Sequence, residues 1–370
     1  MFLFFVVYFQ MQLSQLLVDK VTVKEEEFTE EELKLRAARY DPYRNLMMEY
    51  FEKAKAPKTV EMYKGAFARF KNWAQGMKVP VLPTTVDDLM VYLMYVSENT
   101  ESFAAVKMAR YAVAYYHQMG GYQDPTKDPA VALVVEAAKR AWAHPVKKAR
   151  PMTFYIIQMM VDKILGADIV RTGNFKVPII EWRTVMNVVM KFMFVARNAD
   201  VIELTRQNFT FERDLLFVHF PHAKNDQYWQ GNTTMFEAAE KKKYCPVYLL
   251  KKYFERLNYK DDSKGHFLPK VALKRNKKLK KSEWVAVPEE HISYSTCLMD
   301  RRRVLAKLGL PAKEFTEHSD RGGGASHLFN NGATVEEVQT QGRWKSIETP
   351  KKYIQRSEQK GREISRKFFK

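Results

Sequence analysis

The sequence predicts a mainly α protein of two domains with one small β-hairpin, an α+β chain. Three observations predict it. Between Tyr50 and His144, apolar residues recur at helical spacing behind capping residues. A basic stretch bracketed by Pro145 and Pro151 interrupts that pattern. Beyond it the helical pattern resumes, broken by two short strand-like runs, Leu215 to Phe220 and Thr233 to Phe236, around a polar turn. At 370 residues and 43.4 kDa the chain is long enough for two cores, and 46% apolar and 13% aromatic content places it among globular proteins.

Residues 1–41 read as an N-terminal extension, disordered in part. Its apolar start lacks a basic leader and falls well short of the roughly 20 residues a spanning helix needs, and no later stretch could span a bilayer. Glu25 to Glu32 holds six glutamates, read as a solvated leader. Residues 42–145 read as a helical domain. Thr59 is expected to cap a helix that presents Tyr63, Phe67, Phe70 and Ala74 on one face. Thr85 precedes Asp87 and Asp88, then Leu89, Tyr92, Leu93 and Val96 form a second stripe. Phe103 to Met119 is a third helix, closed by Gly120-Gly121, and Ala130 to Ala143 a fourth behind Asp128-Pro129. These stripes read as core.

Residues 146–152 form a stiff linker. The second domain, 153–370, opens with a helix from Thr153 to Ile164. An apolar helix follows, Glu181 to Val195, and runs into Arg197 and Asp200. A charge set between the apolar segments Met190–Val195 and Val201–Leu204 needs a partner or a ligand. Cys245-Pro246 opens a helix to Leu257.

The formal charge of +18 and pI near 9.6 point to a polyanionic partner. Lys270 to Lys281 carries seven basic residues and no acid, and Arg301-Arg302-Arg303 and Lys241-Lys242-Lys243 add further clusters. Such residues would meet phosphates and give a steep salt dependence. Two cysteines, Cys245 and Cys297, exclude a disulfide framework and argue against a cysteine-based zinc site.

The stretch Glu317 to Gln355 concentrates the chemistry. It pairs His318 with Arg321, places Trp344 23 residues after that arginine, and Tyr353 nine residues further. Between them a helix (Ala325 to Phe329), an Asn330-Asn331-Gly332 turn and a second helix (Thr334 to Gln341) would fold these side chains back toward one pocket. A phenol, a guanidinium and two nitrogen donors suit phosphodiester chemistry.

Here the chain resembles the tyrosine recombinase (phage integrase) family. The matching pieces are His318-x-x-Arg321, helix-Asn-Gly-helix, Gly342-Arg343-Trp344 and Tyr353. Tryptophan at 344 looks most like recombinases of eukaryotic mobile elements, DIRS-type or Crypton. The resemblance implies a helical SAM-like core-binding domain and a tyrosine recombinase catalytic domain forming a C-shaped DNA clamp. It also implies a site-specific recombinase acting in DNA integration or transposition through a 3′-phosphotyrosyl intermediate. Tyr353 would be the nucleophile and Arg197 and Arg321 the phosphate clamp, with Asp200 bracing Arg197. Lys224, in the turn His222 to Gln227, would be the general acid, and His318 and Trp344 donors to the phosphate. Lys147, Lys148, Arg150, Lys241, Lys242, Lys277, Lys278, Arg301, Arg302 and Arg343 would contact DNA.

No metal and no cofactor is expected. The partner would be double-stranded DNA, bound by a dimer or tetramer of the chain. Residence would be nuclear for a eukaryotic source, otherwise the cytoplasm or nucleoid. His327 reads as packing. Two departures from the family stand out. Asp320 replaces an apolar residue and is expected to pair with an active-site arginine in competition with DNA. Gly322-Gly323-Gly324 is expected to loosen the helix start. The alternatives are a catalytically silent DNA-binding descendant and a type IB topoisomerase-like enzyme.

Overall fold

A computed structural model describes residues 29–144, 149–221, 231–240, 242–276 and 281–369. Lys147, Lys148, Lys224, Lys241, Lys277 and Lys278 lie outside them. The chain divides into two compact units at Val146/Lys147.

The first unit is helical: α1 (Glu30–Lys53), α2 (Pro57–Met77), α3 (Val86–Thr100), α4 (Phe103–Met119) and α5 (Pro129–Ala141). Helix α1 runs through the expected boundary at residue 41, because Thr29 and Glu32 form a reciprocal capping box. Thr59 is not a cap: α2 begins at Pro57, whose missing N–H costs nothing at a first helical position. Thr85 does cap α3, accepting from the Asp88 amide at 3.1 Å. The core joins Phe70, Leu89, Leu93, Val106, Val113 and Val131. His117 is wholly buried in this unit. Its Nε2 accepts from the Thr84 amide at 3.0 Å, which leaves Nδ1–H to donate to the Val113 carbonyl at 2.8 Å.

The second unit contains α6 (Phe154–Met160), α7 (Ile179–Met193), α8 (Asn198–Ile202), β1 (Phe209–Glu212), β2 (Leu215–Phe220), β3 (Asn232–Glu237), α9 (Pro246–Leu257), β4 (Pro269–Asn276), β5 (Lys281–His291), α10 (Tyr294–Lys307), α11 (Glu317–Asn330), α12 (Val335–Gln341), α13 (Glu348–Tyr353) and α14 (Glu358–Arg366). Helix α7 is buried nearly all round, with Trp182, Val185, Met186, Val188, Val189, Met190 and Phe192 in the core, the pattern of a central helix. It stops at Met193, short of the expected Val195, which takes the left-handed conformation (φ +47). That conformation is costly for a β-branched residue and reverses the chain into Arg197.

Strands β1, β2 and β3 form an antiparallel sheet in that order, with Leu216 opposite Phe211 and Phe236. Its first strand is not evident in the sequence. The basic segment from Lys270 belongs to a second feature the sequence hides, the antiparallel ribbon β4–β5. Lys274 faces Glu283 across it, and Lys270 pairs with Glu290 at 2.8 Å. Among the described residues no helix is long and apolar enough to cross a membrane.

Candidate active site

Helix α11 carries the first half of the site. Thr316 and Ser319 cap it reciprocally, so it starts at Glu317 rather than at Ala325. The glycines do not loosen it. A Cβ on Gly323 would lie 1.9 Å from the Met152 carbonyl oxygen, and one on Gly324 2.0 Å from that of Phe192. Both are glycine because two backbones pass there in direct contact. Met152 completes the junction by donating its amide to the Ser319 carbonyl at 2.9 Å. His327, on the same helix, stacks on Phe154 with ring centres 5.2 Å apart, as packing.

From this helix Arg321 enters the pocket, 1% exposed. One guanidinium nitrogen donates to the Gly342 carbonyl at 2.7 Å, and the group lies over the Trp344 ring at 4.2 Å. Its Nε and Nη1 have no hydrogen-bond partner. Buried guanidinium donors without partners are places for an anion.

Trp344 is set by the turn after α12. Gly342 has no Cβ because one would fall 2.1 Å from the indole ring, and Arg343 adopts φ +53. Gln339 then brackets Trp344, accepting its amide at 3.1 Å and donating to its carbonyl at 3.0 Å. Tyr353 ends α13, its ring 5.4 Å from that of Trp344 and its hydroxyl 3.3 Å from Nδ1 of His318. Behind it, Ser326 Oγ accepts the Gln355 amide at 2.9 Å. Asn330 donates to the Gln355 carbonyl at 3.0 Å and accepts the Ser357 amide at 2.9 Å. His318, Arg321, Trp344 and Tyr353 are thus brought together as the sequence spacing requires.

Asp200 organises the opposite wall. It accepts the Arg197 amide at 3.0 Å, and the same oxygen stands 3.9 Å from the Arg197, 3.7 Å from the Arg321 and 3.6 Å from the Arg343 guanidinium. One carboxylate therefore faces three guanidiniums. Burial, reinforced by the Arg197 charge, pushes the Arg321 guanidinium down to about 9, and burial pushes Arg343 down to about 10. Excess buried positive charge is the electrostatic demand that a phosphate would answer.

Two of the residues read as DNA contacts, Arg343 and Arg301, have buried side chains instead. Arg343 is 5% exposed at its side chain, stacked on Phe220 at 3.8 Å and bonded to the Phe194 carbonyl, so it builds the Asp200 wall. Arg301 is buried beneath α11 and bonds to Asp320 at 3.0 Å. Three successive arginines spread over about 200° of a helix, and α10 turns in Arg301 while Arg302 stays exposed. Arg150 donates to Glu314 at 3.2 Å and lies over Phe315, which occupies the linker arginine in an exposed ion pair. Lys242 is exposed. Asp320 does not approach an active-site arginine. It is fully buried against Lys191 at 2.9 Å and Arg301 at 3.0 Å. Nothing in the sequence reveals that Lys191, in the last turn of α7, is its partner. Among the described residues no group of three His, Cys, Asp or Glu side chains is placed to hold a metal ion.

The family match with known proteins falls within the second unit. Residues 183–360 match the phage integrase family. Among solved structures, the fold resembles that of the XerH site-specific recombinase bound to a palindromic difH substrate in a post-cleavage complex. The two are 15% identical over 80% of this chain and 75% of that one, with a TM-score of 0.54. It also resembles the Tn1549 transposon integrase in complex with transposon right end DNA, at 12% identity over 87% and 99% of the two chains and a TM-score of 0.51. A lambda integrase dimer bound to a COC′ core site matches at 15% identity over 93% and 85%, with a TM-score of 0.50. No curated protein sequence matches the chain.

Proposed function

We propose, from the match of residues 183–360 to the phage integrase family, that the protein is a site-specific DNA strand transferase that cuts and rejoins DNA through Tyr353. The observation that carries this reading is the Tyr353 hydroxyl, 3.3 Å from His318 Nδ1 beside an arginine whose Nε and Nη1 make no hydrogen bond. The phenol oxygen attacks a backbone phosphorus and its proton passes to His318. The 5′ oxygen leaves, taking a proton from Lys224. A 3′-phosphotyrosyl bond and a free 5′-hydroxyl result. Arg321 and Arg197 hold the non-bridging oxygens as charge builds on them, and Trp344 closes the apolar side of the pocket. The tyrosyl bond conserves the phosphodiester energy, so a 5′-hydroxyl of another strand reverses the reaction without a nucleotide energy source.

Exposed Arg302 and Lys242, with Lys147, Lys148, Lys241, Lys277 and Lys278, supply phosphate contacts that position the duplex. Two or four copies of the chain assemble on DNA for exchange between strands. The Gly342-Arg343-Trp344 form favours a mobile element of DIRS or Crypton type, acting in the nucleus of its host. The test is covalent capture in EDTA on a DNA library that includes the flanks of the protein's own gene. Wild type is expected to give a denaturant-resistant protein–DNA adduct, and Tyr353→Phe none while still binding DNA. An equal adduct from Tyr353→Phe, or none from wild type, rejects the reading.

A further inference from the structure

Beneath the pocket lies a closed cluster of four charges. The Lys191 ammonium, fully buried, sits 2.6 Å from Glu317 Oε2 and 2.9 Å from Asp320 Oδ2. Arg301 completes it, 3.0 Å from Asp320 Oδ2 and 3.4 Å from Glu317 Oε1. No member's side chain is more than 6% exposed, and two positive charges balance two negative ones. Burial pulls the Lys191 ammonium down, but Asp320 and Glu317 outweigh it and hold it above its ordinary value.

The cluster's connections are specific. Glu317 and Asp320 interleave with His318 and Arg321 in the first turns of α11, so fixing the first pair fixes the direction of the second. On its other side, Lys191 Nζ donates to the Asn198 side-chain oxygen at 3.4 Å, next to Arg197. The Lys191 carbonyl also accepts the Ala196 amide at 3.1 Å. One buried side chain therefore touches the two segments that carry the two phosphate-facing arginines. A plain apolar core would hold these elements together, but it would not specify their register to within a hydrogen bond.

We infer that Lys191 is a positioning residue that sets Arg197 and Arg321 against one another for a single phosphate, with Asp320, Glu317 and Arg301 as its counter-charges. The inference rests on the strand-transfer reading of Tyr353. It also turns the acidic residue at 320 from an obstacle into a structural requirement.

The test uses the full chain with Lys191→Met/Asp320→Leu, which removes one charge of each sign and leaves Arg301 beside Glu317. Hydrogen exchange and melting are measured first, then adduct formation at saturating and limiting DNA. Melting is expected near the wild-type temperature. Amides from Ala196 to Val201 are expected to exchange faster, although no residue in that segment is altered. The adduct rate at saturating DNA is expected to fall roughly 100-fold, the penalty for reacting groups misplaced by about an ångström, with DNA affinity unchanged. Wild-type exchange and rate in a folded double variant would overturn the inference.

Should the double variant fail to fold, Asn198→Ala carries the test. It leaves the charges in place and removes the Lys191 contact on the Arg197 side, together with a long 3.5 Å bond from Asn187; it is expected to show the same exchange change and about a tenfold slower adduct rate, and wild-type behaviour there overturns the inference equally. If wild type itself forms no adduct, the strand-transfer reading fails, while the exchange measurement still decides whether Lys191 positions the arginine segment.

Discussion

Replacing Asp200 with asparagine removes the one carboxylate that faces Arg197, Arg321 and Arg343. Each pair is 3.6 to 3.9 Å apart, which at an effective dielectric constant near 20 corresponds to roughly 4 kcal/mol of attraction. Desolvation and repulsion among the three arginines offset much of that sum. Breaking a buried ion cluster by removing one partner typically costs about 3–5 kcal/mol net. For a domain of this size, a loss of about 3 kcal/mol lowers the melting temperature by roughly 6 °C or more. The effect should depend on DNA. A bound phosphate supplies the missing negative charge, so DNA should raise the melting temperature of Asp200→Asn by more than it raises that of wild type. Cleavage should nonetheless fall, because Arg197 and Arg321 lose the charge that braces them and Arg197 keeps only a neutral amide oxygen to accept its N–H. Calorimetry of the full chain with and without DNA, at low and high salt, measures both quantities. An unchanged melting temperature without DNA, or equal stabilisation of both proteins by DNA, would refute the electrostatic account of this wall.

Further expectations separate packing from chemistry. Gly324→Ala drives a methyl group into the Phe192 carbonyl and should cost about 3 kcal/mol or prevent folding. Gly322→Ala meets only the Tyr353 ring edge at 3.5 Å and should be neutral or stabilising by up to about 1 kcal/mol; chemical denaturation compares them. Arg301→Ala should unfold at lower denaturant while Arg302→Ala leaves stability unchanged and flattens the salt dependence of DNA binding. Burial holds His117 below its ordinary value of 6.5, so the folded state takes up its proton later than the unfolded state. Its contribution is complete above about pH 6.5 and is lost as pH falls toward the folded value. Melting of the helical unit should therefore drop on acidification, and His117→Gln should flatten that slope.

The elements that could be read from the sequence are those specified by local signals. Phe103–Met119 and Leu215–Phe220 appear with the expected limits because capping and alternation mark both ends. The grouping of His318, Arg321, Trp344 and Tyr353 was legible for the same reason, since two helices and two turns determine it. What stayed hidden depends on partners far away in the chain. Arg301 looked like a surface charge and Asp320 like an intruder, because each is explained only by the other and by Lys191, 110 residues from Arg301. The triple glycine reads as weakness in the sequence, because the Met152 and Phe192 carbonyls that require Gly323 and Gly324 come from distant segments. The β4–β5 ribbon was masked by its own lysines, which hide the strand alternation.

The fastening of Tyr353 has a mechanical consequence. The arginines belong to segments whose release would disturb the main core. The tyrosine and the chain just beyond it are instead held by four side-chain-to-backbone bonds from Ser326 and Asn330 and by partial apolar contacts at Tyr353 and Ile354. At about 1 kcal/mol for each bond, that attachment is weak enough to open by itself while the rest of the domain stays folded. The proposed nucleophile is thus more lightly fastened than the buried arginines beside it, a hinged tool on a rigid bench.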